Sequence, residues 1–188
     1  MTGKTIAELD AGDHAELVRV VADSDIAGFV NVVGDYNPVH SDAAYAAGTI
    51  FKSPIAPCIY TAGLISAVIG TQLPGPGAIY LSQSLKFVKP VFAGDTITAR
   101  VDVAEVVCER NRVRLTTVCV NQRGEDVLSG EAWVMPSRTS VVYDGQRRGM
   151  AALAAWPLQP WAWATQAMVA WGSLGVAMMT AATSTSRR

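Results

Sequence analysis

The sequence predicts an α+β domain, an antiparallel sheet wrapped around one very apolar central helix, with an uncharged hydrophobic helical tail behind it. Three observations carry that expectation. The segment CIYTAGLISAVIG (58–70) holds no charge and has apolar side chains on every face, the profile of a helix buried all round. Four stretches of strand character follow it, and their short connections imply antiparallel hairpins. From Ala151 to Ser186 there is no charged residue at all, and Trp156, Trp161, Trp163 and Trp171 all lie in that stretch.

Taken in order, the first element is AELVRVV (15–21), a candidate strand. Ile26, Phe29, Val30 and Val33 then recur at helical spacing behind Asp23 or Ser24 as candidate caps. That helix must end at Gly34-Asp35-Tyr36-Asn37-Pro38-Val39-His40, because Gly, Asn and Pro break it into a turn-rich loop. Ser41 is the candidate cap of a second short helix, DAAYAAG. Pro57 opens the apolar helix, where its missing N–H costs nothing. After the LPGPG loop come strands at about 78–91, 95–108, 112–121 and 127–135, separated by turns at Ala93-Gly94-Asp95, near Glu109–Asn111 and at Asn121–Asp126. In the first of them Leu81, Gln83, Leu85 and Phe87 alternate with Ser82, Ser84, Lys86 and Val88, as in a half-covered strand. One curved sheet around one helix leaves the sheet rim and part of the helix uncovered, so a homodimer is expected.

Composition bounds the function classes. Of 188 residues 50% are hydrophobic and 16% charged, which excludes disorder of the whole chain. Fifteen basic side chains nearly balance 16 acidic ones, and no basic stripe appears, so nucleic-acid binding is not indicated. Cys58, Cys108 and Cys119 form an odd set without CxxC spacing, which argues against a disulfide framework or zinc site and fits a reduced, cytoplasmic setting. MTGKTIAELDAGDHAELVRV reads as neither a secretory signal nor a transit peptide. The charge balance shifts near residues 137–150, in the polar stretch SRTSVVYDGQRRG. This divides the chain into a domain at 1–140 and a linker with tail at 141–188.

Asp35 and His40 stand five apart in a loop of Gly, Asn and Pro. A carboxylate and an imidazole make a usable acid/base pair where the loop brings them together, although Asp and Asn are also ordinary turn formers. His14, the other histidine, has no such company.

FVNVVGDYNPVHSDAAYA (29–46) and SPIAPCIYTAGLISAVIGTQLPGPGAIYLSQSLKFVKPVFAGDTITARVDV (53–103) resemble the MaoC-like, (R)-specific enoyl-CoA hydratases of the hot-dog fold. The GDxNPxH loop, the LPGPG turn, the SQSLKFVKPV strand and the GDT turn occur in that family's order, and the resemblance spans about residues 5–136. It implies reversible hydration of trans-2-enoyl-CoA to (R)-3-hydroxyacyl-CoA, for polyhydroxyalkanoate synthesis or fatty-acid metabolism. It makes Asp35 and His40 the catalytic dyad, with Ser66 and Asn37 in support. No metal and no redox cofactor is implied, the coenzyme A thioester being the substrate. Addition of water pushes negative charge onto the thioester oxygen, and the N–H of Cys58 at a helix N-terminus is the natural oxyanion donor. Here the chain departs from the family, reading Ala56-Pro57-Cys58 where relatives usually read Ala-His-Gly. Cys58 keeps the amide and adds a Cβ and a thiol.

Phe51, Ile55 and Leu64 are candidates to line an acyl pocket, and also read as core. Lys52, Lys86 and Lys89 are candidates for the phosphates of coenzyme A, and also read as solvated charge. The tail leaves three readings open: packing on or swapping within the dimer, lying on a membrane or polyester-granule surface, or spanning a bilayer. The alternatives for function are a hot-dog thioesterase, a related dehydratase, and a catalytically impaired acyl-CoA-binding or granule- or membrane-surface protein.

Overall fold

A computed structural model describes residues 1–144; the uncharged tail, with the three readings of it, lies outside the described residues. In chain order the elements are β1 (Thr2–Gly3), β2 (His14–Val20), α1 (Asp23–Val33), α2 (Ala43–Ala47), α3 (Cys58–Thr71), β3 (Ile79–Phe87), β4 (Thr96–Val107), β5 (Arg112–Val120), β6 (Asp126–Met135) and β7 (Val141–Val142). Strands β2 to β6 form one antiparallel sheet of order β2-β4-β5-β6-β3, with β2 and β3 as its edges. The expected strands form within a few residues of their expected ends. Val141–Val142, inside the stretch read as linker, pairs with Thr2–Gly3 in a separate two-stranded ladder. Two residues on each side are too few for a period, so the sequence carries no signal of it.

Alternation decides which way the sheet faces. In β5, Val113, Leu115, Thr117 and Cys119 are buried while Arg112 and Thr116 are exposed; in β4, Ile97, Ala99, Val101 and Val103 point the same way inward. These side chains meet Leu64, Ile65, Val68 and Ile69 of α3, three of which are 0–2% exposed. Each such side chain contributes about 1.5–3 kcal/mol of burial. Gly130 is required where β6 passes β3, since a Cβ there would lie 2.0 Å from the Ser84 carbonyl oxygen.

Three local expectations change. Neither Asp23 nor Ser24 caps α1: Ala22 holds the cap position, and Asp25 reaches back to accept from its N–H at 3.1 Å. The α2 cap is Asp42 rather than Ser41, its Oδ1 accepting from the Tyr45 N–H at 3.0 Å. Helix α3 is not buried all round within one chain. Ile59, Gly63, Ser66 and Gly70 form an exposed stripe, because the single sheet covers only the opposite face.

Candidate active site

Gly34 ends α1 in the left-handed conformation at φ 77°, which a side chain would resist, and its N–H closes on the Val30 carbonyl at 2.8 Å. The chain then turns through Asp35 to Asn37. Oδ1 of Asp35 accepts a long bond from the Asn37 N–H at 3.4 Å, and Oδ1 of Asn37 accepts from the Val39 N–H at 3.3 Å, capping the short 3-10 helix Pro38–His40. These local bonds set the course of the loop that carries Asp35 and His40. Nδ1 of His40 lies 2.8 Å from the carbonyl oxygen of Ile55. A carbonyl only accepts, so Nδ1 carries the proton and, in the neutral ring, Nε2 carries the lone pair. Nε2 stands 3.4 Å from Oδ2 of Asp35; the His40 side chain is 8% exposed and that of Asp35 is 47% exposed. A buried imidazole edge thus meets a solvent-facing carboxylate.

His40 lines a cleft of about 500 Å3, whose lining does not include Asp35. Ile26, Ala27 and Val30 of α1 form one wall, Tyr36 and His40 the floor, and Phe92 and Ala93 the far side. Asp95 fixes that far side from behind. One carboxylate oxygen accepts from the Phe92 N–H at 2.9 Å, the other accepts from Gln122 Nε2 at 2.7 Å, and the residue is buried. Cys58 begins α3 with Pro57 at its cap, and among the described residues its N–H has no hydrogen-bond acceptor, as expected in a first turn.

Asp35, Asn37 and His40 therefore share one loop, with Ile55 reached through its carbonyl. Other candidates fall elsewhere. The Ile55 side chain is buried, Phe51 is half-buried, and neither lines the cleft. Leu64 lines a different groove beside Leu17, Phe29 and Tyr60. The acyl-pocket expectation for these three is thus not what the geometry brings to His40, because α3 spends Leu64 on packing and the 51–55 segment contributes backbone instead. Ser66 is exposed on the open stripe of α3 and makes no hydrogen bond to Asp35 or His40 within the chain. Lys52 is exposed at φ 64°, Lys86 is exposed, and Lys89 is paired with Glu125. Among the described residues no group of three His, Cys, Asp or Glu converges as metal ligands. Sequence reading missed Tyr36, Ala27 and Phe92. Tyr36 carries a weak signal as an aromatic amid turn formers, and the other two carry none.

Comparison with known proteins follows the same boundaries. The model of the MaoC like domain matches residues 7–124. A 3-hydroxybutyryl-CoA dehydratase of Methylorubrum extorquens is 48% identical over 68% of this chain and 80% of that protein. An (R)-specific enoyl-CoA hydratase of Rhodospirillum rubrum is 47% identical over 70% of this chain and 91% of its own length. Among solved structures, the unliganded R-hydratase of Pseudomonas aeruginosa superimposes with a TM-score of 0.73 at 44% identity, covering 77% of this chain and 94% of that one. The (R)-hydratase of Aeromonas caviae, described as involved in PHA biosynthesis, gives 0.65 at 41% identity, covering 67% and 96%. Family match, sequence identity and likeness of fold agree, and the chain belongs to the MaoC-like family of hot-dog proteins.

Proposed function

We propose that this protein is a hydro-lyase that adds water reversibly to trans-2-enoyl-CoA and yields (R)-3-hydroxyacyl-CoA. The observation that carries the reading is the 3.4 Å approach of Asp35 Oδ2 to His40 Nε2, with the opposite ring nitrogen fixed on Ile55. A water beside the two acceptors donates a hydrogen to the pair and aims its oxygen lone pair at the substrate. That oxygen bonds to C3 of the enoyl group as a proton passes to the Asp35–His40 pair. The C2–C3 π electrons move toward the thioester, giving an enolate oxygen that the Cys58 N–H stabilises. C2 then takes a proton back from the pair and the carbonyl is restored. Nothing is oxidised or reduced, so the reading asks for no redox cofactor. Supply of monomers for polyhydroxyalkanoate synthesis is part of this reading, supported by the likeness to the Aeromonas caviae (R)-hydratase described as involved in PHA biosynthesis.

The reading includes a second copy of the chain. Edge strand β3 exposes Ile79 and Phe87, and α3 exposes Ile59 along its open stripe. Sedimentation at about twice the 19.9 kDa of the chain supports a homodimer, and sedimentation at that single mass removes it.

The test of activity is loss of enone absorbance with crotonyl-CoA, measured for wild type, Asp35→Asn and His40→Gln. Each substitution is expected to slow hydration by ~10²- to 10⁴-fold. Persistence of wild-type activity in both variants would remove the assignment. Free thiol released in the same assay would instead mark a thioesterase.

A further inference from the structure

The outer face of the sheet, remote from α3, carries a second cavity of about 600 Å3 that shares no lining residue with the cleft lined by His40. Two irregularities in the sheet border it. The ladder slips between Tyr80 and Ser82 on β3, and again between Val103 and Glu105 on β4. Bulges of this kind bend a strand and re-aim its side chains, and they favour the neighbourhood of binding sites.

The lining has a definite chemistry. Trp133 lies at the centre, in register with Ser82 on one side and Arg114 on the other; the indole is half-buried. Leu81 and Val107 add apolar wall. Arg110 and Arg112 stand at the β4–β5 turn, both exposed, and among the described residues neither has a carboxylate within ion-pair distance. Their neighbour Arg114 is different: it is tied to Glu105 at 3.1 Å and to Glu131 at 2.8 Å. Two unpaired guanidiniums in the same recess as an unstacked indole suit a ligand with an anionic end and a planar, partly apolar end. Guanidiniums bind phosphate oxygens through paired N–H donors, and an indole face stacks on a purine whatever its sequence context. Glu105 sets the direction, since its carboxylate repels phosphate and accepts from ribose hydroxyls or an exocyclic amine.

We propose that this recess is a binding site for a phosphorylated purine nucleoside, with phosphates on Arg110 and Arg112 and the base on Trp133. The same chemistry occurs in free adenine nucleotides and in the nucleotide end of coenzyme A, and the arms below separate them. The nucleotide-binding arm does not depend on the hydratase reading, so the two stand or fall separately.

The experiment is titration of the full-length protein with ADP by calorimetry, alongside adenosine and inorganic pyrophosphate. Saturable ADP binding, tighter than that of adenosine or pyrophosphate, is expected. Arg112→Ala and Trp133→Phe should each retain the far-UV spectrum, with Arg112→Ala weakening ADP at least about tenfold, and Trp133→Ala about tenfold more than Trp133→Phe. With crotonyl-CoA, a raised KM in Arg112→Ala identifies the coenzyme's nucleotide as the ligand. An unchanged KM, with ADP binding still lost, identifies a free nucleotide. Absence of saturable ADP binding to the wild type overturns the proposal. So does ADP affinity that none of the three variants changes, or pyrophosphate binding as tight as ADP, which would mark a general anion patch.

Discussion

Nδ1 of His40 donates to the backbone carbonyl of Ile55 at 2.8 Å, and that single bond fixes which nitrogen faces Asp35. The acceptor is main chain and cannot be substituted away, so the tautomer is secured by the path of residues 51–55 rather than by another side chain. The consequence is that the two dyad substitutions act on one unit. The double variant Asp35→Asn/His40→Gln should lose about as much kcat as the worse single variant, rather than the product of the two. Crotonyl-CoA kinetics on the three variants read this, and strictly multiplicative losses would mean that the groups act separately.

Cys58 and Cys119 should separate by reactivity. Cys58 and Cys108 are exposed, whereas burial pushes the Cys119 thiol up to about 12 and its Sγ donates to the Thr61 carbonyl at 3.5 Å. A thiol reagent at pH 8 should label two cysteines in the native protein and three after denaturation. If labelling of Cys58 proceeds faster than that of Cys108 and abolishes hydration, the thiol stands beside the reacting carbonyl. Cys58→Gly keeps the amide and removes the Cβ, so hydration should be preserved or raised. A collapse of rate in that variant with an intact fold would count against the amide as the donor.

The sheet was legible because its strands alternate over many residues: Val113, Leu115, Thr117 and Cys119 face in, and the residues between face out. The loop was legible through Gly34, Asn37 and Pro38, whose backbone preferences set where it turns. The cleft wall was not. Ala27 and Phe92 come to line one cleft only after α1 and the β3–β4 connection fold together, and no local pattern encodes that. Leu64 illustrates the converse: its apolarity signals burial, but not whether it is buried against core or substrate.

Asp95 is the residue through which the far wall can be tested without touching the dyad. Its carboxylate holds the Phe92 N–H at 2.9 Å and Gln122 Nε2 at 2.7 Å in a buried turn. Asp95→Ala leaves those donors without an acceptor, at a cost of about 1–3 kcal/mol each where buried. We expect a lower urea midpoint and a raised KM for crotonyl-CoA, with kcat changed less than in either dyad variant. A kcat loss matching that of His40→Gln would place Asp95 closer to the chemistry than the turn allows.

Glu125 links the same region to pH. Its carboxylate accepts from Asn121 Nδ2 at 2.9 Å, from Lys89 and from Arg123 at 2.8 Å, and these contacts, Asn121 first, pull its pKa down to about 2 from an ordinary 4.5. The folded state therefore holds this group's proton less tightly than the unfolded chain does. Its contribution to stability is complete above about pH 4.5 and is lost as pH falls toward about 2. Because the group is solvent-accessible, the contribution is also screened by salt. Glu125→Gln keeps the side-chain shape and removes the titration, so its unfolding midpoint should fall below wild type at pH 6 and converge with it near pH 2. Added salt should narrow the gap at pH 6. An equal gap at both pH values would show that Glu125 stabilises the β5–β6 turn by packing or neutral hydrogen bonds, with its charge contributing nothing.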